Sequence, residues 1–526
     1  MRKRLFHCMW AALLGVILTI LLLWLTAATP AAADPAIRYV RSTGSHDGGN
    51  DCKTATDPCA TIQHAIDVAD PGDEIRVAGG TFSRTGTVAM ITKELTIIGA
   101  FDPAFNGPDP DLYQTVLDAG WGGSVISITN AGDVLLLHLM LTHGDGSGNC
   151  GSSGCGGGVY ATGTSLHIGH CVITDNVGSK AGDDMGFGGG VYAYANNRTV
   201  EIWNSRIVSN TASANPSSTY YAYGGGIYVQ YGTTSLVQNQ ILDNVGSTAG
   251  TGGVGGGIFL YGVTQGNVLT NTIQGNKAAT SNSSGSGGGL ALFGSTVYMA
   301  DNRIENNWTN PNWAGYGGGV YIWGNTDAHL TRNTIISNAT LPPNTGWFAP
   351  GGGVCIASSE PVTLSNNLIV HNTASDDAGG GVYVSSSSTP ASPALLVNNT
   401  IADNGASAVL VDQYAALTMT NNLIAGHATG LETGFVFSGT VSADTNLFWN
   451  TADPITGTHA ILADPLLTSN YHLSSGSPAE DAGLTIPWLA LDLEGAVRPK
   501  GSQYDIGAFE GAVEKVYLPL VLRDFH

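Results

Sequence analysis

Triple glycines begin at Gly156, Gly188, Gly224, Gly255, Gly287, Gly317, Gly351 and Gly379, at intervals of 28 to 36 residues. A spacing this regular asks for one structural unit used over and over, with loops of varying length. After each triplet comes an aliphatic residue: Val159, Val191, Ile227, Ile258, Leu290, Val320, Val354 and Val382 in turn. Two positions later stands another small or aliphatic residue, from Ala161 to Val384. Period two means a strand with this face turned inward.

Later in each unit an isoleucine is followed three residues on by asparagine, from Ile173/Asn176 to Ile401/Asn404, until Ile424/His427 breaks the series. Two residues before these isoleucines stand Cys171, Ser205, Asn239, Asn271, Asn302, Asn333, Asn367, Asn399 and Asn422. Stacked asparagines at strand-to-turn corners tolerate unusual backbone angles and can bond to the next coil.

A unit of short strands and turns, about 30 residues long, cannot bury its apolar face alone. Coiling and stacking solve that. The expected fold is all-β, a right-handed parallel β-helix solenoid with coils about 4.8 Å apart. A propeller is the alternative, but four strands per blade normally need about 40 residues.

An open solenoid must be capped. "TIQHAIDVA" sets Ile62, Ala65, Ile66 and Ala69 at helical spacing behind Thr61 as N-cap, which predicts an N-terminal capping helix. The chain divides into a signal peptide (1–33), the N-terminal cap and first coils (34–149), and the glycine-triplet repeats (150–430). C-terminal coils and a cap (431–511) and a tail (512–526) complete it.

The signal reading rests on Arg2, Lys3 and Arg4, the apolar run Trp10 to Leu25, and Ala31-Ala32-Ala33. Its alternative is an uncleaved anchor, for which the run is short. Secretion, to the extracellular space or the cell surface, follows, and with it an oxidising compartment. Cys52 with Cys59, and Cys150 with Cys155, are spaced as local disulfides would be. A formal charge of -21 argues against nucleic acid and, unless a divalent cation bridges them, against anionic polymers.

The triplets with "N-x-I-x-x-N" resemble the repeats of polymorphic outer membrane proteins, and "TIQHAIDVADPGDEIRVAGGTF" is similar to the start of many pectin-lyase-like proteins. "SPAEDAG...RPKGSQYDIGAFE" resembles the C-terminal segment of secreted bacterial β-helix proteins of the choice-of-anchor class. The resemblance implies the pectin-lyase-like fold and a surface location. Such families contain lyases, hydrolases and adhesins, so it leaves activity open. "VYLPLVLR" resembles a sorting or anchoring tail, with a last edge strand as the alternative.

Lyases of this type need a Lys or Arg base beside carboxylate-bound calcium. The best constellation is Lys180 with Asp175, Asp183 and Asp184 on one loop and Asp145 on the preceding turn; its alternative is a solvated loop with one ion pair. Asp376 and Asp377 lack a nearby base. His167 and His170 have metal-like spacing without a third ligand, and read as strand residues. Asp481, Asp492, Arg498, Asp505 and Glu510 read as bonds within the C-terminal cap.

If the aliphatics point inward, their neighbours point outward. Tyr160, Tyr192, Tyr228, Phe259, Tyr321 and Tyr383 then form one row, and Tyr194, Tyr261, Phe293 and Trp323 the next. Loops add Trp308, Trp313, Tyr316 and Trp347. An aromatic ridge beside polar loops suits sugar rings, so a polysaccharide or cell-surface glycan is the expected partner. The alternative is that the loops fold over the stripe and bury it. Three functions stand: a non-catalytic glycan-binding surface protein, a calcium-assisted polysaccharide lyase working through Lys180, and a structural envelope protein. Calcium is the one cofactor in view, and a membrane is reached only through the leader or tail.

Overall fold

The computed structural model describes residues 35–180, 185–216, 220–250, 252–280, 284–310, 315–340, 349–375, 378–386, 393–405, 407–412, 414–434, 439–452 and 457–511. The proposed leader and tail, Asp183, Asp184, Trp313, Trp347, Asp376 and Asp377 lie outside them.

The coil that opens at Gly317 shows how the repeat folds. Its strands are Val320–Gly324, Asp327–Thr331 and Thr334–Ile336. Each pairs in parallel with its counterpart in the coils before and after: Val320 with Leu290 and Val354, Leu330 with Met299 and Leu364, Ile335 with Ile304 and Ile369. Among the described residues the first two strands of successive coils build a 24-stranded sheet and the third a 14-stranded sheet. This is the parallel β-solenoid that the repeat predicts, with the aliphatic positions at its centre. One continuous core runs from Val40 to Phe448.

The three glycines of a triplet have different reasons. Gly317 adopts φ +65, which turns the chain into the strand. Gly318 and Gly319 are places of close approach instead: a Cβ on either would lie 2.5 or 2.6 Å from a backbone oxygen of the next coil.

Both asparagine series are buried ladders. In the turn between the second and third strands, the Asn333 amide accepts from the Asn302 backbone N–H (3.0 Å). It donates to Met299 O in the preceding coil (3.1 Å) and to Asn367 Oδ1 in the next (3.0 Å). Asn338 repeats the pattern one turn later. Cys171 takes a place in the first ladder, as its position predicts, its thiol pushed up to about 12 by burial. Both pairs of cysteines expected to be joined, Cys52–Cys59 and Cys150–Cys155, are disulfides.

His427 ends the second ladder. Its Nε2 accepts from the Asn404 backbone N–H (3.2 Å), which requires a neutral ring. Burial holds its pKa down at about 4, with Asp403 pulling weakly the other way. The unfolded chain therefore takes up this proton first as pH falls. Stability from neutral His427 is complete above about pH 6.5 and drains away towards pH 4, a loss of about 3 kcal/mol. Melting profiles from pH 7 to 4.5 are expected to fall less steeply for His427→Asn, which restores the ladder amide; parallel profiles refute this account.

The N-terminal helix is Ile62–Val68, with the Thr61 hydroxyl accepting from His64 N–H and Ile62, Ala65 and Ile66 buried on the first coils. The C-terminal segment departs from the expected cap. After the last strands it runs back along the outer face of the 14-stranded sheet, where Leu473, Ala479, Ile506, Ala508 and Phe509 pack on Leu368, Val370, Leu423 and Leu447. Corner asparagines fasten it: Asn366 Nδ2 donates to Leu491 O, Asn398 Nδ2 to Asp505 O, and Asn421 Nδ2 to Leu484 O. The reason is composition, since the outer positions of this sheet are themselves apolar in the last coils and require cover. Within this brace Arg498 pairs with buried Glu510 (2.5 Å) and donates to Gly507 O (2.7 Å). Asp505 and Asp492 accept from Asp481 N–H and Glu510 N–H, so the five charges serve structure, as read from sequence.

Candidate functional site

The aromatic stripe divides into a buried row and a half-exposed one. Strand register aligns Tyr160, Tyr192, Tyr228 and Phe259 across four coils. Over them lies a second layer, a six-stranded stack made from the residues just before each glycine triplet. Phe187 stacks on Tyr223 (5.6 Å) and Tyr228 (5.5 Å), and Tyr223 on Phe259 (5.3 Å). Tyr192 and Tyr228 are thereby only 7% and 5% exposed, and desolvation raises both phenol pKa values. Their expected role in glycan contact is corrected: the positive-φ glycine folds the preceding residue back over the strand, and these rings form a satellite core. Tyr321 belongs to the same layer, half-buried beneath Tyr316 (5.6 Å) and against Trp323 (4.6 Å).

The outer row stays open on one side. Register places Tyr194, Gln230, Tyr261, Phe293 and Trp323 on successive coils. Gln230 interrupts the aromatics, and the adjacent Tyr231, which the sequence reading missed, closes the gap. Its ring meets Tyr194 edge-on at 5.8 Å and Tyr261 at 5.5 Å. Gly262 makes room for it, since a Cβ there would lie 2.6 Å from the Tyr231 ring. Tyr261 stacks on Phe293 (5.3 Å) and Phe293 meets Trp323 (5.0 Å). The result is a continuous ridge over five coils, with Tyr316 beyond it on Tyr321; Tyr231 is 38% and Tyr316 39% exposed. Trp308 stands apart on the other loop stack, its ring covered by the Lys277 ammonium at 5.0 Å.

In the described part of the acidic loop Lys180 faces an aromatic ring and not a carboxylate. Lys180 Nζ rests 4.4 Å above the exposed Trp121 ring, and none of the described carboxylates forms an ion pair with it. Asp145 accepts from Ser147 N–H (3.0 Å) and Oγ–H (2.6 Å), and Asp175 from Thr174 Oγ–H (2.8 Å), so each closes its own turn. None of these bonds joins the two carboxylates to each other, and the other two candidate ligands, Asp183 and Asp184, lie outside the described residues. Among the described residues the one trio of potential metal ligands is Cys52, Cys59 and His64, whose sulfurs are already bonded to each other. His167 pairs with Glu201 (3.0 Å) and His170 stacks on His138 (5.1 Å), which leaves them separate.

Residues 216–392 match a family model described as a right-handed beta helix region, which gives the solenoid its hand. A comparison with curated proteins finds no match. Among solved structures the chain is similar to pectate lyase Pel9A, at 14% identity over 91% of this chain and 97% of that one, with a TM-score of 0.35. XylC, solved in complex with xylose, is 11% identical over 90% of this chain and 98% of that one, with a TM-score of 0.40. The catalytic unit of a GH87 α-1,3-glucanase from Streptomyces thermodiastaticus strain HF3-3 is 14% identical over 82% of this chain and 71% of that one, with a TM-score of 0.41.

Proposed function

We propose that this is a secreted or cell-surface β-helix protein that binds glycan, without catalysis, through the outer aromatic ridge. The observation that carries the reading is the unbroken line Tyr194, Tyr231, Tyr261, Phe293 and Trp323, packed from below and open from outside. Rings held rigid by the coils offer an ordered apolar surface to sugar C–H bonds at little entropic cost. The basic-apolar leader, the two disulfides and the resemblance to polymorphic outer membrane and choice-of-anchor proteins support the surface location. The buried inner row accounts for half of the stripe as structure and makes the ridge the narrower binding element. Lys180 facing Trp121 favours the non-catalytic reading over the lyase.

Affinity electrophoresis through gels cast with cell-wall and plant polysaccharides tests this. The full chain is expected to be retarded by at least one polymer, and Tyr231→Ala/Tyr316→Ala to bind it about tenfold more weakly, the loss of stacked rings. Equal retardation of the double variant, or free passage of the parent chain through every gel, refutes the reading. Calcium-dependent release of unsaturated uronate that disappears in Lys180→Ala replaces it with the lyase.

A further inference from the structure

A second open surface lies away from the ridge, at the edge of the C-terminal brace. The second strands of successive coils carry an outward row in which register aligns Tyr298, His329 and Thr363. Over the later coils this row is covered, Leu395 lying under Leu489 and Tyr504 of the C-terminal brace. The brace stops short of Tyr298, and its edge stands as a wall. Between floor and wall lies a cleft of about 340 Å³ lined by Tyr298, His329, Arg332 and the stretch Trp488 to Leu491. A second cleft of about 410 Å³ continues it around the corner of the solenoid, sharing Arg332 and adding Arg303, His472 and Glu494. Each is of small-ligand size, and together they make a groove long enough for a chain of sugars.

The lining has the chemistry of such a ligand. Trp488 and Tyr298 are 58% and 40% exposed, the two large aromatic surfaces left open on the walls of the first cleft. At the centre Arg332 makes a two-pronged bond to Asp301, Nε to Oδ1 and Nη2 to Oδ2, both 2.8 Å. Arg303 is held by Glu305, His472 lies 3.0 Å from Glu494, and His329 lies 3.5 Å from Asp327. Every basic side chain on these walls thus already faces a carboxylate. Such pairs offer a donor beside an acceptor, which suits vicinal hydroxyls, whereas a uronate would meet no uncompensated positive charge on a chain of net charge -21.

We infer that the groove at the leading edge of the C-terminal brace, between Tyr298 and Trp488 and across the Arg332–Asp301 pair, binds an uncharged oligosaccharide. Trp488 and Tyr298 supply ring faces, and the paired charges orient the hydroxyls. This site is separate from the ridge and stands without it.

Calorimetric titration of the full chain with cellotetraose, xylotetraose and laminaritetraose, and with tetragalacturonate as the anionic counterpart, tests it. At least one neutral tetrasaccharide is expected to bind, about tenfold more weakly to Trp488→Ala and unchanged with Tyr231→Ala/Tyr316→Ala. Trp488 is exposed, so the melting temperature of its variant is expected to match the parent and to confirm folding. The inference is overturned if no neutral tetrasaccharide binds with a Kd below about 10 mM, if Trp488→Ala binds as the parent does, or if tetragalacturonate binds best. Binding lost in the ridge variant but kept in Trp488→Ala overturns the groove and supports the ridge.

Discussion

Gly318→Ala is expected to be among the most damaging single substitutions in the chain, lowering stability by about 4 kcal/mol or more. The added Cβ would lie 2.5 Å from Ala339 C, across the same coil, and 2.5 Å from Gly352 O in the next. Neither atom is the end of a flexible side chain. Gly318 N–H donates to Gly351 O (3.0 Å) and Gly319 N–H to Gly352 O (3.0 Å), so relief by opening the coil spacing breaks the bonds that set it. The control is Gly107→Ala, where a Cβ meets nothing within 4 Å and the change is expected to stay within about 0.5 kcal/mol. Denaturant midpoints of the two variants check this, and a Gly318→Ala midpoint equal to that of the parent refutes the steric account.

The same corner explains how structure and surface are linked in this fold. The triplet's first glycine turns the chain, and the residue before it lands on the ring five positions ahead, as Phe187 does on Tyr192 and Tyr316 on Tyr321. Loop length then decides how much of the stripe is sealed. The inner row is covered by this short backward strand, while the outer row lies one residue pair beyond its reach and remains half open.

Whatever repeats was legible in the sequence. The strands, the glycine corners, both asparagine ladders and the capping helix all follow from spacing, because each coil meets only its neighbours and one unit's pattern holds for the next. Contacts that do not repeat were not legible. Burial of Tyr192 and Tyr228 depends on the direction a loop takes after a turn, and outward alternation alone cannot distinguish solvent from a second layer. Tyr231 sits outside the alternating pattern, so its role in filling the gap at Gln230 had no period to mark it. Trp488 reaches the coil of Tyr298 only because the brace doubles back along apolar outer positions such as Leu368 and Leu423. Those positions do carry a signal: apolar residues at both inward and outward sites of a third strand, as in Leu368-Ile369-Val370, mean that something covers the outside.

The ladders make the second large effect. Asn333→Ala is expected to lower stability by about 4 kcal/mol, because it leaves two buried backbone groups without partners at about 1–3 kcal/mol each and opens a cavity. Asn302 N–H loses its acceptor and Met299 O its donor, both inside the solenoid, where Asn333 itself is fully buried. The molecule contains its own milder substitution. At the equivalent place two ladder positions before Asn271, Ser205 Oγ accepts from Cys171 N–H (3.1 Å) and donates to Trp203 O (2.9 Å). A hydroxyl thus keeps the acceptor for the preceding coil while giving up the long reach of an amide. Asn333→Ser is therefore expected to fall between alanine and the parent in denaturant midpoint. If serine is as costly as alanine, the ladder's worth lies in packing the amide's volume; if both are harmless, the coils are held by their backbone pairing alone and the asparagine series does no more than set the turn.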